Sequence, residues 1–393
     1  MTKFFRSIFP ALMLTLPIGS VYAFSLFSTD IANLIQCSFK EIQFAFSLSI
    51  FFLGMGAAFG GPLVEKNITK SSILATILFA SGLVCTSIGI SLSNIWYIYL
   101  GYGCLCGIAQ GIGYLTPVKT LVMWFPKHKG LASAISIVSF GLGSSLCTLL
   151  HKYLYPIFGI TNIFYVLAGI YFIMMLIGSC LIKKPYIEQK TSIILNNSFN
   201  YIRLFKDKFF ICAWLFMFLN ISAGLSLIGS SANIFKSFNV STNVVVIMMM
   251  LAGIFNGSFR LIFAWLADLF NGKRLYVWVI LAVFSGILMI SSCFSPWILF
   301  GSILLINATY GGGFSTVPSI LAEHYDLTCL SRIHGAVLSA WGIAGLIGNN
   351  ISTTLFSITG NFIFLPYILL SMYILNVLIV LQMIKLSKKK HDR

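Results

Sequence analysis

The residue with the clearest chemical potential is Arg260, which lies inside a long apolar stretch. Residues 244–267 read VVVIMMMLAGIFNGSFRLIFAWLA, and Arg260 is the only charged side chain among these 24. A helix of this length crosses a hydrocarbon core of about 30 Å. Because Asp268 marks one end of the stretch, the guanidinium lies about 12 Å inside the apolar layer. A charge at that depth costs at least about 2.5–3.5 kcal/mol, which predicts that Arg260 faces a wet cavity or an anionic partner.

Two interpretations of Arg260 follow from its chemistry. The planar guanidinium stays charged and can hold a carboxylate through two parallel hydrogen bonds, which favours an anion-binding role. The alternative is a structural arginine that pairs with backbone carbonyls or with Asp268. Eight residues of helix place Asp268 about two turns away, which disfavours a direct pair within one helix. We therefore favour the anion-binding role.

The acidic side chains narrow the substrate class further. No Asp or Glu lies deep in any apolar stretch, whereas proton-driven carriers of cations generally need a buried acid. Asp30 and Glu323 lie at the ends of apolar stretches, where we expect water to solvate them. Lys119 lies seven residues before Pro126, so its ammonium can reach the aqueous boundary. An anion is the substrate class that these residues favour.

Aromatic residues near the middle of several apolar stretches are candidates for lining a cavity. They are Tyr22, Tyr114, Tyr310 and Trp341. Tyrosine hydroxyls at this depth need hydrogen-bond partners, which favours a cavity over lipid. The alternative is a place in the core or against lipid, because 15% of the chain is aromatic. The sequence has no nucleophile elbow, phosphate loop or metal-ligand spacing, so we predict no enzyme, no cofactor and no metal site.

Composition indicates the environment of the chain. Of the 393 residues, 58% are hydrophobic and 9% are charged, whereas about a quarter of a soluble chain is charged. The sequence therefore predicts an integral membrane protein. The net charge is +16, and 20 of the 25 Lys and Arg fall in the termini and in alternate loops on one side. The positive-inside rule predicts that this side and both termini are cytoplasmic, in a plasma membrane or a bacterial inner membrane.

Twelve apolar segments define the predicted architecture, six before the polar stretch 183–208 and six after it. They predict two six-helix halves, 1–182 and 209–393, joined by a cytoplasmic linker. GYLTP at 113–117 also corresponds to GFSTVP at 313–318. Two matching halves indicate an all-α membrane protein of twelve transmembrane helices with the major facilitator fold, pseudo-twofold symmetry and a site between the halves. The segments are 8–28, 43–64, 71–91, 95–124, 130–150, 161–182, 209–233, 243–267, 275–294, 298–322, 334–356 and 362–386.

Several motifs resemble a known transporter family. GIAQGIGY at 107–114, followed by Pro117 and by WFPKHKGLA at 124–132, is similar to the span 4–5 signature of the oxalate–formate antiporter family, which is related to the monocarboxylate carriers. Motifs of the first, eighth, tenth and eleventh spans also resemble this family: GSVYAFSLF at 19–27, NGSFR at 256–260, YGGGF at 310–314 with Pro318, and AWG at 340–342.

The resemblance implies a carrier of small carboxylates. It implies that Arg260 binds the carboxylate and that the remaining site residues are Asn256, Tyr22, Tyr114, Tyr310 and Trp341. Two departures from the family affect the substrate and the coupling. The oxalate carrier has a lysine in span 11 where this chain has Trp341, so a monoanion fits better than a dianion. The monocarboxylate carriers have an aspartate one turn before the span 8 arginine, whereas this chain has Asn256, which argues against proton coupling by that route.

The sequence thus predicts a secondary active or facilitative transporter of small organic anions, chiefly monocarboxylates, that works by alternating access. Exchange, proton symport and uniport remain open. A carrier of amino acids or other zwitterions is the alternative, although no buried acid is available for the ammonium group. A membrane receptor or sensor built on the same fold ranks below both. The predicted partners are a small organic anion and the lipid bilayer, without nucleic acid, and the chain is expected to act as a monomer.

Overall fold

The computed structural model of the chain describes residues 4–125, 129–183, 185, 201–325 and 330–391. Residues 126–128 of the span 4–5 motif, and 184 and 186–200 of the predicted linker, lie outside the described residues. All regular secondary structure in the described ranges is helical. This confirms the predicted all-α class.

Ten helices in the described part of the chain are long and apolar enough to cross a membrane. One of them, Ile135–Leu181, has 47 residues. At about 1.5 Å per residue it would be twice as long as a bilayer core is thick, so it contains two crossings. The break lies at Gly159, whose φ of 67° favours glycine. With the 30-residue helix Leu330–Thr359, the described residues form twelve membrane-crossing helices.

We number these helices α1 to α12. The first group contains α1 to α6 and the second group contains α7 to α12. The bounds are α1, Phe9–Ile18 and Ser25–Ile35 joined by a 3₁₀ turn at Gly19–Ala23; α2, Phe39–Phe59; α3, Ile68–Ser91; α4, Ile95–Ile98, Tyr99–Cys106 and Gly107–Trp124; α5 and α6, the parts of Lys129–Leu181 before and after Gly159; α7, Lys208–Ile228; α8, Thr242–Leu269; α9, Leu275–Phe294; α10, Pro296–His324; α11, Leu330–Thr359; and α12, Leu365–His391.

Polar caps and a local break explain why the helices begin and bend where they do. At the start of α2, Ser38 and Glu41 form a capping box that satisfies backbone N–H groups at the helix end. Ser241 caps α8 by accepting from the N–H of Val244. In α1, Pro17 lies inside the helix just before the 3₁₀ turn Gly19–Ala23. A proline there removes one intrahelical hydrogen bond, which explains the change in helix type.

Two close helix crossings join the first group to the second, one between α2 and α11 and one between α5 and α8. A Cβ atom on Gly54 would lie 2.2 Å from the backbone N of Gly342. A Cβ atom on Gly141 would lie 2.6 Å from the Cα atom of Gly257. Small residues let helix backbones approach in this way. Gly54 therefore serves close packing of α2 against α11.

The two ends of the helix bundle differ in their contacts. One end of the helix bundle carries Arg6, Trp124 and Lys183, which backbone and side-chain hydrogen bonds bring together. We call this end the basic face. The other end is the far face. In the described structure, a set of buried polar contacts joins the two groups near the far face.

We call these inter-group contacts the far-face seam. Gln43 donates from Nε2 to the carbonyl of Gly229 at 2.9 Å. Asn349 donates from Nδ2 to the carbonyl of Gln43 at 2.9 Å and to Ser47 Oγ at 3.1 Å. Thr29 Oγ1 donates to Asn233 Oδ1 at 2.5 Å. Because Gln43 and Asn349 are fully buried, the seam closes the far face in this structure.

The acids at the ends of the spans are partly exposed, as expected for solvated groups, and they also have protein partners. Asp30 accepts a hydrogen bond from Tyr155 Oη at 2.6 Å. Glu323 forms an ion pair with Arg274 at 3.2 Å and accepts from the backbone N–H of Gly272 at 2.7 Å. Glu323 thereby fastens the end of α10 to the connection between α8 and α9. The sequence did not indicate these partners of Glu323, because the N–H groups that the connection directs at the carboxylate belong to the backbone.

Candidate functional site

Arg260 lies in the interior of the protein, between the two groups. Asn256 and Arg260 are one turn apart on α8 and therefore share a helix face. Asn256 Oδ1 accepts from both Nε and Nη2 of Arg260, at 3.2 and 2.9 Å. Nη1 donates to the backbone carbonyl of Ile137 on α5, at 3.0 Å. Arg260 is 1% exposed, so its orientation is fixed by these three bonds.

The partners of Arg260 are neutral. Asp268 lies toward the basic face and pairs with Arg274 at 3.8 Å, so it does not neutralise Arg260. Among the described residues, Arg260 has no carboxylate partner. The carbonyl of Ile137 matches part of the structural alternative for Arg260. A guanidinium carries five N–H groups, and the three bonds leave two of them for a further acceptor, with the Tyr22 hydroxyl also within reach of the guanidinium.

Aromatic rings surround the guanidinium on several sides. Its Cζ atom lies 5.9 Å from the ring centre of Phe140 on α5 and 5.7 Å from that of Phe314 on α10. Both distances permit a cation–π interaction. Such rings stabilise the cation without neutralising it. The site therefore keeps a positive charge in an apolar enclosure.

Two tyrosines meet at the interface between the groups. Tyr22, in the 3₁₀ turn of α1, and Tyr310, on α10, share a hydroxyl–hydroxyl hydrogen bond of 3.0 Å. Gly224 on α7 leaves room for the Tyr310 ring, because a Cβ atom there would lie 2.4 Å from it. The charge of Arg260 acts on the hydroxyls of Tyr22, Tyr114 and Tyr310. The bond between Tyr22 and Tyr310 uses one of their two hydroxyl protons, so the other can donate to an anion held by Arg260.

Tyr114 and Trp341 complete the aromatic enclosure from α4 and α11. Their rings are 5.9 Å apart in an edge-to-face arrangement. Phe140 lies within 5.7 Å of Tyr114 and 6.1 Å of Trp341. Trp341 is buried, and its indole N–H is near Tyr310 but makes no hydrogen bond of good geometry with any described residue. This N–H is thus a second donor available inside the enclosure.

The structure brings the six predicted site residues into one connected cluster. The cluster also contains two side chains and a backbone carbonyl that the sequence did not predict. The predicted residues are Arg260, Asn256, Tyr22, Tyr114, Tyr310 and Trp341. Phe140, Phe314 and the carbonyl of Ile137 were missed. Phe314 belongs to the YGGGF motif, which could have indicated it. Phe140 is one of 36 phenylalanines, and a backbone carbonyl has no sequence signature.

A polar cluster between two groups of six helices is the arrangement in which many secondary transporters bind substrate. The family model for the Major Facilitator Superfamily matches residues 8–349 of the chain. The chain belongs to this superfamily. This transporter is therefore a multi-pass membrane protein that moves a small molecule, and it is not an enzyme.

Individual relatives agree with this assignment. The chain is 28% identical over 340 residues to the uncharacterized MFS-type transporter YhjX of Escherichia coli, covering 84% of this chain and 82% of the relative. It is 21% identical over 358 residues to the oxalate:formate antiporter of Oxalobacter formigenes, covering 90% and 85%. The fold is also similar to that of a D-xylose-proton symporter, with a TM-score of 0.73, 15% identity and 96% coverage of both chains.

Proposed function

We propose that this transporter carries small monocarboxylates and that Arg260 binds the carboxylate. The single observation that supports this most strongly is the buried guanidinium that has neutral partners only. A carboxylate would accept its two remaining N–H groups and would also neutralise a charge that is costly at this depth. The tyrosine pair has one hydroxyl proton that is not used between Tyr22 and Tyr310, and this proton and the indole N–H of Trp341 are further donors for the bound anion.

The chemistry of the enclosure favours a monoanion. Arg260 is the one cation that the described residues place in the cluster, so a dianion would keep an uncompensated charge among aromatic rings. Phe140, Phe314 and Trp341 instead suit a short apolar substituent on a single carboxylate. The relative from Oxalobacter formigenes is named for exchange of oxalate and formate, which supports a small carboxylate as the substrate class.

We also propose that the two groups act as rigid halves, 1–182 and 209–393, that rock about the bound anion. Both groups contribute to the cluster: Tyr22, Tyr114 and the Ile137 carbonyl come from the first group, and Arg260 and Tyr310 come from the second. A relative rotation would expose the cluster to one side of the membrane and then to the other. The charge distribution supports cytoplasmic termini in a plasma membrane or bacterial inner membrane, and a single chain holds the whole cluster.

Uptake into proteoliposomes tests this proposal. Labelled formate, lactate, pyruvate and oxalate would be compared for the wild type, Arg260→Gln and Arg260→Lys. Loss of two charge-assisted hydrogen bonds, at about 1.5–3 kcal/mol each, would weaken monocarboxylate binding by about 10²- to 10⁴-fold. Arg260→Lys would also be impaired, because an ammonium cannot form the bidentate pair. Undiminished uptake by folded Arg260→Gln would refute the assignment.

Asn256→Asp is a sharper variant because it changes few atoms. It keeps the acceptor that orients Arg260 but adds a negative charge beside it. The internal ion pair would compete with the substrate, so we expect a raised KM for monocarboxylates. An amino acid that competes with lactate at equal concentration would favour the zwitterion alternative instead.

A further inference from the structure

A second cluster of titratable side chains lies near the far face, apart from Arg260. Tyr155 on α5 donates from its hydroxyl to Asp30 Oδ2 on α1, at 2.6 Å. The ring of His151, one turn before Tyr155, stacks on it with centroids 4.8 Å apart and an interplanar angle of 21°. Phe27 meets the other side of His151 edge-on at 5.0 Å. His151 is thus held between two aromatic rings.

His151 is largely buried, with 9% of its surface exposed. Neither ring nitrogen has a hydrogen-bond partner among the described residues. A neutral imidazole has one donor and one acceptor. Leaving buried polar groups unpaired costs free energy. Such a cost indicates a functional reason for a histidine at this position, because Phe or Leu would fill the same space without it.

The cluster is adjacent to the far-face seam. Thr29 and Asp30 are consecutive on α1, and Thr29 makes the seam contact to Asn233 of the second group. Lys236 lies one turn after Asn233 in the same short helix, Ser231–Lys236. The charges of Asp30 and Lys236 both act on the His151 ring. His151 therefore has an acid of its own group and a lysine of the other group as electrostatic neighbours.

Few other charges are available to affect the ring. Lys152 is next to it in the chain, where its ammonium lies 5.9 Å from the ring centre of Tyr153. Tyr155 and Cys147, each one turn from His151, are the other titratable residues on its face of α5. The far-face parts of α3 and α8, residues 79–91 and 242–255, contain no Asp, Glu, Lys, Arg or His. The charge balance at His151 is thus set mainly by Asp30 and Lys236.

We propose that His151 is a proton-binding site that controls the opening of the far face. A proton on the ring creates a cation that is attracted to Asp30 within the first group and repelled by Lys236 of the second group. Both forces act in the same sense, because they hold α1 on α5 and push the Ser231–Lys236 helix away. The Thr29–Asn233 contact lies between them and would separate. This role does not depend on which substrate Arg260 binds.

A distance measurement across the seam tests the proposal. Spin labels on Asn33→Cys and Ser237→Cys, both exposed at the far face, would be placed in the full chain with its native cysteines replaced. We expect the population with a long inter-label distance to grow as the pH falls from about 8 to about 4. Burial opposes the proton while the far face is closed, so the change should lie below the ordinary histidine pKa of about 6.5. A distance distribution that does not change with pH would overturn the proposal.

Three variants assign the response to the named groups. His151→Phe keeps the ring stacking and removes both nitrogens, so we expect its far face to remain closed at every pH. Lys236→Gln keeps the proton site and removes the repulsion, so acid should open the far face less than in the parent. His334→Phe, on α11 toward the basic face, is the matched control and should respond like the parent. A full acid response in His151→Phe would assign the effect to Asp30 and overturn the proposal.

Discussion

Gly54→Ala should weaken the contact between the two groups at the crossing of α2 and α11. The new Cβ atom would lie 2.2 Å from the N atom and 2.5 Å from the Cα atom of Gly342. Both of these are backbone atoms, so no side chain can rotate to make room. Ordinary Cβ contacts begin at 3.4 Å, so the two helices would have to separate by about 1 Å.

Overpacking of this kind costs about 1–3 kcal/mol. The cost falls on conformations in which α2 and α11 are in contact, so their population should fall by about 5- to 150-fold relative to conformations with the helices apart. Trp341, the residue before Gly342, would move with α11 and away from Tyr114. We therefore expect a raised KM for substrate as well as a lower melting temperature.

The measurement is substrate uptake together with thermal unfolding, for Gly54→Ala and for Gly169→Ala as the matched control. A Cβ atom on Gly169 would have no neighbour within 4 Å. Alanine is favoured over glycine in helices by about 0.5–1 kcal/mol, so this control should be neutral or slightly stabilising. If Gly54→Ala behaved like Gly169→Ala in both assays, the close crossing would have no energetic significance and our reasoning would fail.

Three further predictions concern residues outside the central cluster. Asn349→Ala removes two donated hydrogen bonds from the far-face seam, worth about 1–3 kcal/mol together, and should raise the labelling rate of a cysteine placed in the seam; an unchanged rate would argue against the seam as a closure. Glu323→Gln should lower the unfolding free energy, measured in denaturant, by about 1 kcal/mol, because the partly buried ion pair with Arg274 is lost. If the unfolding free energy of the parent protein were the same at high and low salt, this prediction would be contradicted. Burial and the charge of Glu41 raise the pKa of Cys37 to about 11. Because the thiolate is the reactive form, alkylation of Cys37 should be slow near neutral pH and should become faster as the pH is raised toward about 11.

The helices were predictable from the sequence because bilayer thickness sets the length of an apolar run. Predicted segment 243–267, for example, lies within the helix Thr242–Leu269. The departures occur where local backbone geometry overrides that length. The first span changes to a 3₁₀ turn at Gly19–Ala23, and the helix of the fifth span runs past its predicted end at residue 150 to a break at Gly159. Hydrophobicity carries no information about either feature.

The site was predictable to the extent that single residues stand out from their surroundings. Arg260 stands out because it is a charge in an apolar run. The contact between Tyr22 and Tyr310 joins residues that are 288 positions apart, and no local pattern predicts it. His151 lies just past the predicted segment 130–150. Its spacing from Tyr155 places both on one helix face, but the contacts of the pair with Phe27 and Asp30 depend on how α1 packs against α5.

The bond from Arg260 to the carbonyl of Ile137 has a consequence for the return of an empty carrier. It links a side chain of the second group to the backbone of the first, so a rotation between the groups would stretch it. An unloaded protein would then leave a buried N–H unpaired, at a cost of about 1–3 kcal/mol. A bound carboxylate would supply the missing acceptor. If Arg260 binds a carboxylate as we propose, this geometry would penalise return of the empty carrier and favour one-for-one exchange of anions.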